Sequence, residues 1–568
     1  MKRLYYGDNL QVLRDNIPNE SIDLIYLDPP FNSQANYNIF FKNTTGGSSE
    51  AQITAFEDTW TWGIESERFL DEIQDIKGEL YQLLDLLVRT LGKNSLSAYL
   101  VMMAIRLIEL HRVVKSTGSL YLHCDTTASH YLKMILDLIF GADKFRNEII
   151  WKRQTAHNDA KYKFADVADI ILFYVKSKNA IFKPQYGEND PEYIAKFYRH
   201  DDHDGRGLYQ LADLASPNPR PRMMYEWMGF PYPVKGWRYQ QDTMQKLHDE
   251  GRIYYPTKPD GSFDFSKRPR LKRYLNEQNG SIVTNIWTDI LSISAHAKER
   301  LGYPTQKPLS LLERIIQASS NKDDIVLDPF CGCGTAIHAA ENLGRNWIGI
   351  DITHLAIALI EKRLRDAFPN KFIEDENKNQ KLVPGIEFEV EGTPQDLAAA
   401  EDLFARDPYQ FQWWACSLVN AQPYKDQKKG ADGGIDGLIF FEDVIDIKKS
   451  NKTAVKKIIV SVKGGKNLNP AMIRDLRGTM ETNKAEIGLF VTLTPPSQPM
   501  IKEAASSGFY KAGNGRNYAK VQILTIEELL TAQKRPEFFD MKQGELTFKK
   551  AQRENRDIGE QGNLFSHS

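Results

Sequence analysis

The sequence predicts an α/β chain built on a doubly wound parallel sheet, with a second, smaller α/β unit towards the C-terminus. Three observations predict it. Two short apolar runs, residues 22–26 and 325–327, each end in a loop that begins acid–proline. The second run opens a strand–glycine loop–helix–strand–acid unit. Further on, strand-like runs at 438–441 and 457–463 precede a helical stretch, 470–482, and another strand, 487–492.

Bulk composition bounds the reading. A chain of 568 residues exceeds one ordinary domain, so two or three are expected. Hydrophobic content of 41% with 26% charged residues is that of a soluble globular protein. The formal net charge is −2, so any contact with nucleic acid has to come from local basic patches. Residues 1–8 lack the apolar core of a signal peptide, and no apolar stretch is long enough for a bilayer. Cys124, Cys331, Cys333 and Cys416 form neither paired zinc spacing nor a disulfide framework. A reducing, cytoplasmic location with no membrane partner is the expectation.

The first loop is Leu27-Asp28-Pro29-Pro30-Phe31. Its prolines stiffen the backbone and leave carbonyls without neighbouring amide donors. Asp28 can accept a hydrogen bond from an amino group, and Phe31 can stack on a flat ring. That set suits a planar base bearing an exocyclic amine. A strand that merely ends in a proline turn gives the same run without the chemistry, so the rest of the chain has to decide.

The second loop is Asp328-Pro329-Phe330-Cys331-Gly332-Cys333-Gly334-Thr335, followed by a helical pattern, 336–343, and a strand, 347–350, ending at Asp351. Glycines let a backbone approach a ligand closely, and an acid about 20 residues on can hold two ribose hydroxyls. It is not the dinucleotide fingerprint, because Ile337 stands at the third glycine. Nor is it a phosphate loop, since no Gly-Lys-Ser/Thr follows. Asp328 would repel a pyrophosphate and favour a cation such as an amino-acid ammonium. A nucleoside joined to an amino acid answers both ends, and S-adenosylmethionine is such a molecule. Just upstream, Tyr303-Pro304-Thr305-Gln306-Lys307-Pro308 leads into a helix whose apolar face is Leu311, Leu312, Ile315 and Ile316.

With these residues in view, the chain resembles the β group of amino-methylating DNA methyltransferases, in which the catalytic motif precedes the cofactor motif. Asp28, Pro29, Pro30 and Phe31 match the catalytic motif, with Phe31 where tyrosine is more usual. Residues 328–335 resemble the cofactor loop, which assigns Asp328, Phe330, Gly332, Gly334 and Thr335 to the cofactor. Asp351 takes the ribose-binding position. Thr305 and Lys307 lie in the segment that precedes the loop. Tyr6-Gly7-Asp8-Asn9 resembles the opening motif, whose acid, Asp8, lies near the cofactor's adenine. Residues 118–125 and 140–151 also resemble family segments, and the likeness covers roughly residues 1–380. It implies a Rossmann-like class I methyltransferase fold with permuted motif order and a target-recognition insert. A doubly wound sheet tolerates such rejoining, because a surface loop is cut without moving the core.

The chemistry implied is methyl transfer to adenine N6 or cytosine N4 of a base flipped out of double-stranded DNA. Such an amine is a poor nucleophile, its lone pair being delocalised into the ring. Accepting its hydrogens at Asp28 and the Pro29 carbonyl would localise that pair. Adenine is favoured because the acid–Pro–Pro–aromatic form is commoner among the group's adenine methylators. Residues 154–297 form the expected recognition region. It is rich in aromatic and basic residues: Arg220, Arg222, Tyr225, Trp227, Trp237, Arg238 and Tyr239 cluster, and Lys267, Arg268, Arg270, Lys272 and Arg273 form a basic run. A solvated face around a small aromatic core accounts for any single one of them equally well.

Beyond a polar stretch, residues 376–406, read as a linker, a new unit begins near Asp407. An acid opening one strand (Asp436) and a lysine ending the next (Lys463) is a nuclease layout. The acid holds Mg²⁺ and the lysine steadies hydroxide or phosphate charge. This segment resembles the Mrr-type restriction endonuclease domain of the PD-(D/E)XK fold, which implies a C-terminal α/β restriction-endonuclease-like domain. Ser461 stands where that family has Glu or Gln and is the weaker metal ligand; Asp432 and Glu442 are candidate substitutes.

The expected domains are 1–153 with 298–375 for the methyltransferase, 154–297 for recognition, 376–406 as linker, 407–535 for the nuclease-like unit and 536–568 as a flexible tail. The tail's Gln561, Leu564 and Phe565 resemble a peptide that docks in bacterial sliding clamps. Three readings stay open. One is methylation joined to Mg²⁺-dependent cleavage, as in restriction–modification. Another is modification alone, with a DNA-binding C-terminal domain, and the third is RNA methylation. A homodimer also stays open, and a nucleoid-associated bacterial or archaeal protein is expected.

Overall fold

The computed structural model describes residues 1–30, 37–40, 52–56, 62–154, 164–294, 297, 299–301, 303, 305–368, 373–374, 382–383, 388–424, 434–444, 453–541 and 546–547. Phe31, Asp432, Gln561, Leu564 and Phe565 lie outside these residues. Two compact units divide the chain: residues 1–183 with 285–568, and residues 184–284.

In the first unit a nine-stranded sheet runs in the order Ile286–Trp287, Phe145–Lys152, Ala168–Val175, Val114–Cys124, Ile22–Leu27, Ile325–Asp328, Asn346–Asp351, Lys2–Tyr6, Glu389–Glu391. Neighbours are parallel except at Ala168–Val175, which is antiparallel to both of its partners. Ile22–Leu27 is buried throughout, as an interior parallel strand covered on both faces must be, and so reads as an apolar run. Its one acid, Asp23, is satisfied: both oxygens accept from Lys115 Nζ at 2.8 Å, and one accepts from Ile325 N at 2.9 Å. The carboxylate thereby ties the strand that leads to Asp28 to the strand that leads to Asp328.

Helices cover the faces. Ser95–Val113 is opened by a capping box between Asn94 and Ser97 and is buried over most of its length. Leu309–Ser319 buries Leu311, Leu312, Ile315 and Ile316, the face its sequence spacing predicts. The connection between Ile22–Leu27 and its neighbour Ile325–Asp328 spans some 300 residues of chain, so these strands flank the point where strand order reverses. Ligands of such sheets bind beyond the carboxyl ends at that point.

The unit of residues 184–284 is narrower than the expected recognition region of 154–297. The reason lies in strand pairing, because Ala168–Val175 and Ile286–Trp287 are both members of the large sheet. Within the small unit, Tyr209–Asp213, Arg270–Tyr274 and Ile253–Tyr254 form an antiparallel sheet. Trp227 and Trp237 belong to its core, with Leu214, Met244, Ile253 and Leu271. Arg220, Arg222, Lys267, Arg268 and Arg270 are exposed. The aromatic and basic residues that cluster in sequence thus separate into inside and outside.

Near the C-terminus a five-stranded sheet runs Gln422–Pro423, Gly437–Val444, Thr453–Lys463, Ile487–Thr492, Val521–Thr525. Its strands alternate sides. Ile439, Phe441, Ile458, Val460 and Leu489 pack on one face with Phe411 and Trp414, while Leu438, Phe440, Ile459 and Phe490 pack on the other. Pro470–Thr482 and Ile487–Thr492 match the sequence expectation.

Two expected boundaries shift. The stretch 376–406 is not all linker, because Glu389–Glu391 adds a strand to the large sheet and Leu397–Arg406 is a helix capped by Asp396. The expected tail begins later than 536. Met541 N donates to Glu442 O, and buried Thr547 exchanges hydrogen bonds with Phe440, its hydroxyl donating to the carbonyl and accepting from the amide. Among the described residues no helix is long and apolar enough to cross a membrane.

Candidate active site

Register brings the two acidic loops together. Leu327 pairs with Ile25 in parallel, so Asp328 at one strand end and Asp28 just past the other share an edge of the sheet. Both line one cavity of about 340 Å³. Asp8, Pro29, Pro30, Thr305, Lys307, Phe330, Gly332, Thr335 and Asp351 line it too. Gly334 does not. It sits in the left-handed region at φ +75°, ends a turn in which its amide donates to Cys331 O at 2.7 Å, and faces Ile360. Its role is to let the loop pack against the helix His354–Ala367.

Gly332, also left-handed at φ +50°, is the glycine of this loop that lines the wall; a Cβ there would meet the Tyr303 ring at 3.4 Å. Gly332 N donates to Asp351 Oδ2 at 2.9 Å, and Thr353 donates to Oδ1 through both its amide and its hydroxyl. A carboxylate has about four lone-pair positions, so Asp351 keeps accepting capacity for a ligand. Burial pushes its pKa up to about 6.

Asp328 is 4% exposed and accepts from Phe330 N at 3.1 Å. Burial, then the nearby charges of Asp28 and Asp351, hold its pKa well above the carboxylate range. Asp28, Asp328 and Asp351, with Asp8 and Glu65, therefore line one cavity, an environment that a cation would relieve. Lys307, expected beside the cofactor, extends its Nζ to Asp28 Oδ2 at 2.5 Å. Burial raises the Cys331 thiol well above its usual value, so it stays protonated and is no nucleophile.

Two wall residues, Arg106 and Tyr26, were not singled out from sequence. Asp8 caps the helix Asn9–Asn16 and receives Arg106 Nη2 at 2.7 Å. Arg106 Nε also donates to Asn9 Oδ1 at 2.6 Å, and Asn9 Nδ2 donates to Pro329 O at 2.8 Å. This chain ties the opening motif to the cofactor loop. A signal was there to read: Arg106 is the lone charge in the apolar stretch 99–108. Tyr26 lines the cavity as well.

In the C-terminal domain Asp436 is 6% exposed. Its Oδ2 accepts from Val462 N at 2.6 Å and lies 3.8 Å from Lys463 Nζ; its Oδ1 accepts from Gln412. Asp436, Ser461 and Lys463 thus lie together, as the strand register requires. Glu442 does not join them. It faces Val455, six residues along the strand from Asp436, or about 20 Å. Among the described residues no three His, Cys, Asp or Glu side chains are grouped to hold a metal ion. Among the described residues the set here is a single acid, Asp436, with a buried serine, Ser461, which does not complete a Mg²⁺ oxygen shell.

A Rossmann-like sheet with permuted halves and an acid–Pro–Pro mouth beside a glycine loop defines an amino-group methylase. A family model described as DNA methylase matches residues 22–362, and the chain belongs to that family. A second model, described as restriction endonuclease, matches residues 404–530. Among curated relatives, the type II methyltransferase M.EcaI of Enterobacter cloacae is 34% identical over 47% of this chain and 57% of its own length. The DNA adenine methyltransferase YhdJ of Escherichia coli is 24% identical over 64% of this chain and 82% of its own. TTHA0409 of Thermus thermophilus, solved with S-adenosyl-L-methionine, is 17% identical with a TM-score of 0.31, covering 69% of this chain and all of that one. The chain spans about half the length of the first curated relatives it matches.

Proposed function

We propose that this protein transfers a methyl group from S-adenosylmethionine to an exocyclic amine of a flipped base in double-stranded DNA, with adenine N6 the preferred target. The observation that carries the reading is the meeting of Asp28 and Asp328 on one cavity at the reversal point of the sheet. S-adenosylmethionine, when bound, supplies a methyl group on a positively charged sulfur. The residues present fit it. Asp328 answers the amino-acid ammonium, Asp351 the ribose hydroxyls, and Asp8 lies on the adenine side. Gly332 keeps the loop close, while Thr305, Phe330 and Thr335 line the wall and Gly334 holds the turn behind it.

The chain's own groups do the rest. Asp28 and the Pro29 carbonyl accept the hydrogens of the target amine and localise its lone pair. Pro30 stiffens the mouth, and Phe31 replaces stacking that the base loses on flipping. Lys307 fixes the Asp28 carboxylate. A dry, oriented cavity favours a transfer in which the sulfonium charge disappears. Adenine is preferred for the form of the motif, and a relative bearing the name DNA adenine methyltransferase supports that choice. Asp28→Ala abolishes methyl transfer while S-adenosylmethionine still binds; full activity in that variant overturns the assignment. Mapping methylated bases by single-molecule sequencing separates N6-methyladenine from N4-methylcytosine.

The C-terminal domain is proposed to engage the same DNA through Lys463 and Asp436, as the cutting arm of a restriction–modification protein. Ser461 and the remote Glu442 favour a second reading, a DNA-binding module that does not cut. A Mg²⁺-dependent cleavage assay with Lys463→Ala as control decides between them. Clamp docking through Gln561, Leu564 and Phe565 is tested by clamp pull-down with Phe565→Ala, and a homodimer by light scattering.

A further inference from the structure

The methyl-transfer reading leaves one charge of the cofactor unanswered. An amino acid carries a carboxylate beside its ammonium, and Asp328 answers only the ammonium. Asp8, Asp28, Glu65, Asp328 and Asp351 line the cavity, so the carboxylate enters among acids. The wall's cations Lys307 and Arg106 already meet acids: Lys307 Nζ lies 2.5 Å from Asp28 Oδ2, and Arg106 Nη2 lies 2.7 Å from Asp8 Oδ2.

A third cation stands behind the wall. Arg363 belongs to the helix His354–Ala367, against which the cofactor loop packs, and is 3% exposed. Its Nη1 donates to Cys333 O and to Thr335 Oγ1, each at 3.0 Å, and its Nε donates to His338 Nδ1 at 2.9 Å. One guanidinium thus grips the end of the loop at Cys333 and Thr335, and the helix Thr335–Asn342 one turn further on. A planar fork of fixed donors suits such a set better than a lysine's single ammonium does.

The loop needs holding. Gly332 and Gly334 are both left-handed, and glycine is the residue that keeps most freedom when nothing restrains it. Gly334 also stands at the N-cap of the helix, where it has no side chain to cap with. The contacts of Arg363 fix the Cys333 carbonyl and the Thr335 side chain in the free protein, so binding does not have to order them.

The same contacts set the direction of one hydroxyl. Arginine donates and never accepts, so Thr335 Oγ1 accepts from Arg363 and its own hydrogen turns elsewhere. Cys333 Sγ lies 3.7 Å away, but a thiol sulfur is a weak acceptor. Thr335 and Cys333 both line the cavity, and a carboxylate there is much the stronger acceptor. A hydroxyl that accepts from a cation is itself a better donor, because linked hydrogen bonds polarise one another. Asp328 opens the segment that Thr335 closes, which places an acceptor for the ammonium and a donor for the carboxylate at the two ends of one loop.

Resting on the methyl-transfer reading, we propose that Arg363 is a positioning residue that turns the Thr335 hydroxyl of the cofactor loop toward the carboxylate of S-adenosylmethionine. Thr335 touches the ligand. Arg363 acts through it and sets the shape of the loop from behind.

The test compares two ligands, S-adenosylmethionine and its decarboxylated form, which differ by the carboxylate. Calorimetric titration gives both affinities for the full chain, wild type against Arg363→Met, Arg363→Lys and Thr335→Val. Arg363→Met and Thr335→Val are each expected to weaken S-adenosylmethionine about tenfold and to leave the decarboxylated ligand unchanged or tighter. In turnover on double-stranded DNA the KM for S-adenosylmethionine rises by a similar factor while kcat holds. Arg363→Lys keeps the charge and loses the fork; it is expected to weaken S-adenosylmethionine at least threefold on the same arm, and it decides alone if Arg363→Met does not fold. A loop that is merely loosened would weaken both ligands alike. That result, or an S-adenosylmethionine affinity unchanged in the Arg363 variants or in Thr335→Val, overturns the proposal. A wild-type chain that binds neither ligand or methylates no DNA overturns the methyl-transfer reading itself, a result distinct from an active wild type whose variants treat the two ligands alike.

Discussion

Lys307 Nζ lies 2.5 Å from Asp28 Oδ2, although 279 residues separate the two in the chain. One side chain comes from the segment just before the helix Leu309–Ser319, the other from the loop just past the strand Ile22–Leu27. Their side chains are only 12% and 16% exposed, so water screens the pair weakly. This contact joins what the permuted order separates in sequence.

Lys307→Met tests what the contact does. With the cation gone, Asp28 faces Asp328 and Asp351 uncompensated, and the acids of the cavity repel one another. Methyl transfer is expected to fall about 10- to 100-fold at neutral pH and to recover in part at higher pH. The measurement is the single-turnover rate between pH 6 and 9. A profile parallel to wild type at every pH is the contrary result.

Cofactor affinity should depend on pH in a defined direction. Burial lifts Asp351 from 3.8 to about 6 and holds Asp328 well above the ordinary carboxylate range. In the free protein these groups bind protons that a cationic ligand must displace. Affinity for S-adenosylmethionine therefore rises with pH, by up to about tenfold per unit for each proton displaced, and the Asp351 part levels off above about 6. The free protein shows the converse. A raised carboxyl stabilises the fold fully below its unfolded value of 3.8, and that contribution is lost as pH rises through about 6. Calorimetric titration from pH 5 to 8, in buffers of different ionisation enthalpy, reads the displaced protons directly.

The parts of the site that were legible in sequence are those written as local runs. Asp28-Pro29-Pro30 and the 328–335 loop each follow an apolar strand, so strand end and chemistry appear together. The strand period of the C-terminal unit likewise exposes Asp436, Ser461 and Lys463. What escaped was made by pairing across distance. Arg106 reaches Asp8 from a helix almost 100 residues away, and His123 meets Tyr26 and Asp169 only because their strands are neighbours in the sheet. The limits of the recognition unit escaped for the same reason, since nothing local marks Ala168–Val175 as a member of the large sheet. Gly334 shows a subtler gap. A glycine motif does not distinguish a residue that faces the ligand from one that lets a helix pack behind it.

Gly334→Ala isolates that packing role. The added Cβ would fall 2.6 Å from Ile360 Cγ1, on a backbone at φ +75° that alanine tolerates poorly. Left-handed strain and overpacking together predict a loss of about 2 to 5 kcal/mol. Chemical denaturation of the methyltransferase core measures it. A companion Ile360→Ala should recover part of the loss, because it removes the clashing atom.

Arg106→Met separates binding from chemistry. The guanidinium holds Asp8 and Asn9, and Asn9 in turn holds Pro329 O of the cofactor loop. Asp28 is untouched by this chain. The KM for S-adenosylmethionine should rise about 10-fold or more while kcat changes little, the pattern of a lost ground-state contact. An unchanged KM would mean that the Asp8 end of the cavity does not carry the cofactor.

The C-terminal domain offers the sharpest division between readings. Lys463 Nζ stands 3.8 Å from a buried Asp436 carboxylate that also accepts from the Val462 amide and from Gln412. In a cutting domain, Lys463→Ala and Asp436→Asn both remove cleavage of unmethylated DNA, because one takes away the charge that steadies the phosphate and the other the acid. In a domain that only binds, Lys463→Ala weakens DNA affinity and flattens its salt dependence, and Asp436→Asn leaves affinity unchanged or improved, since an acid near a phosphate repels it. Methylation proceeds in either case, because neither residue lies on the methyltransferase cavity. Nicking and binding assays on one unmethylated plasmid, with and without Mg²⁺, therefore tell the two apart from the same pair of variants.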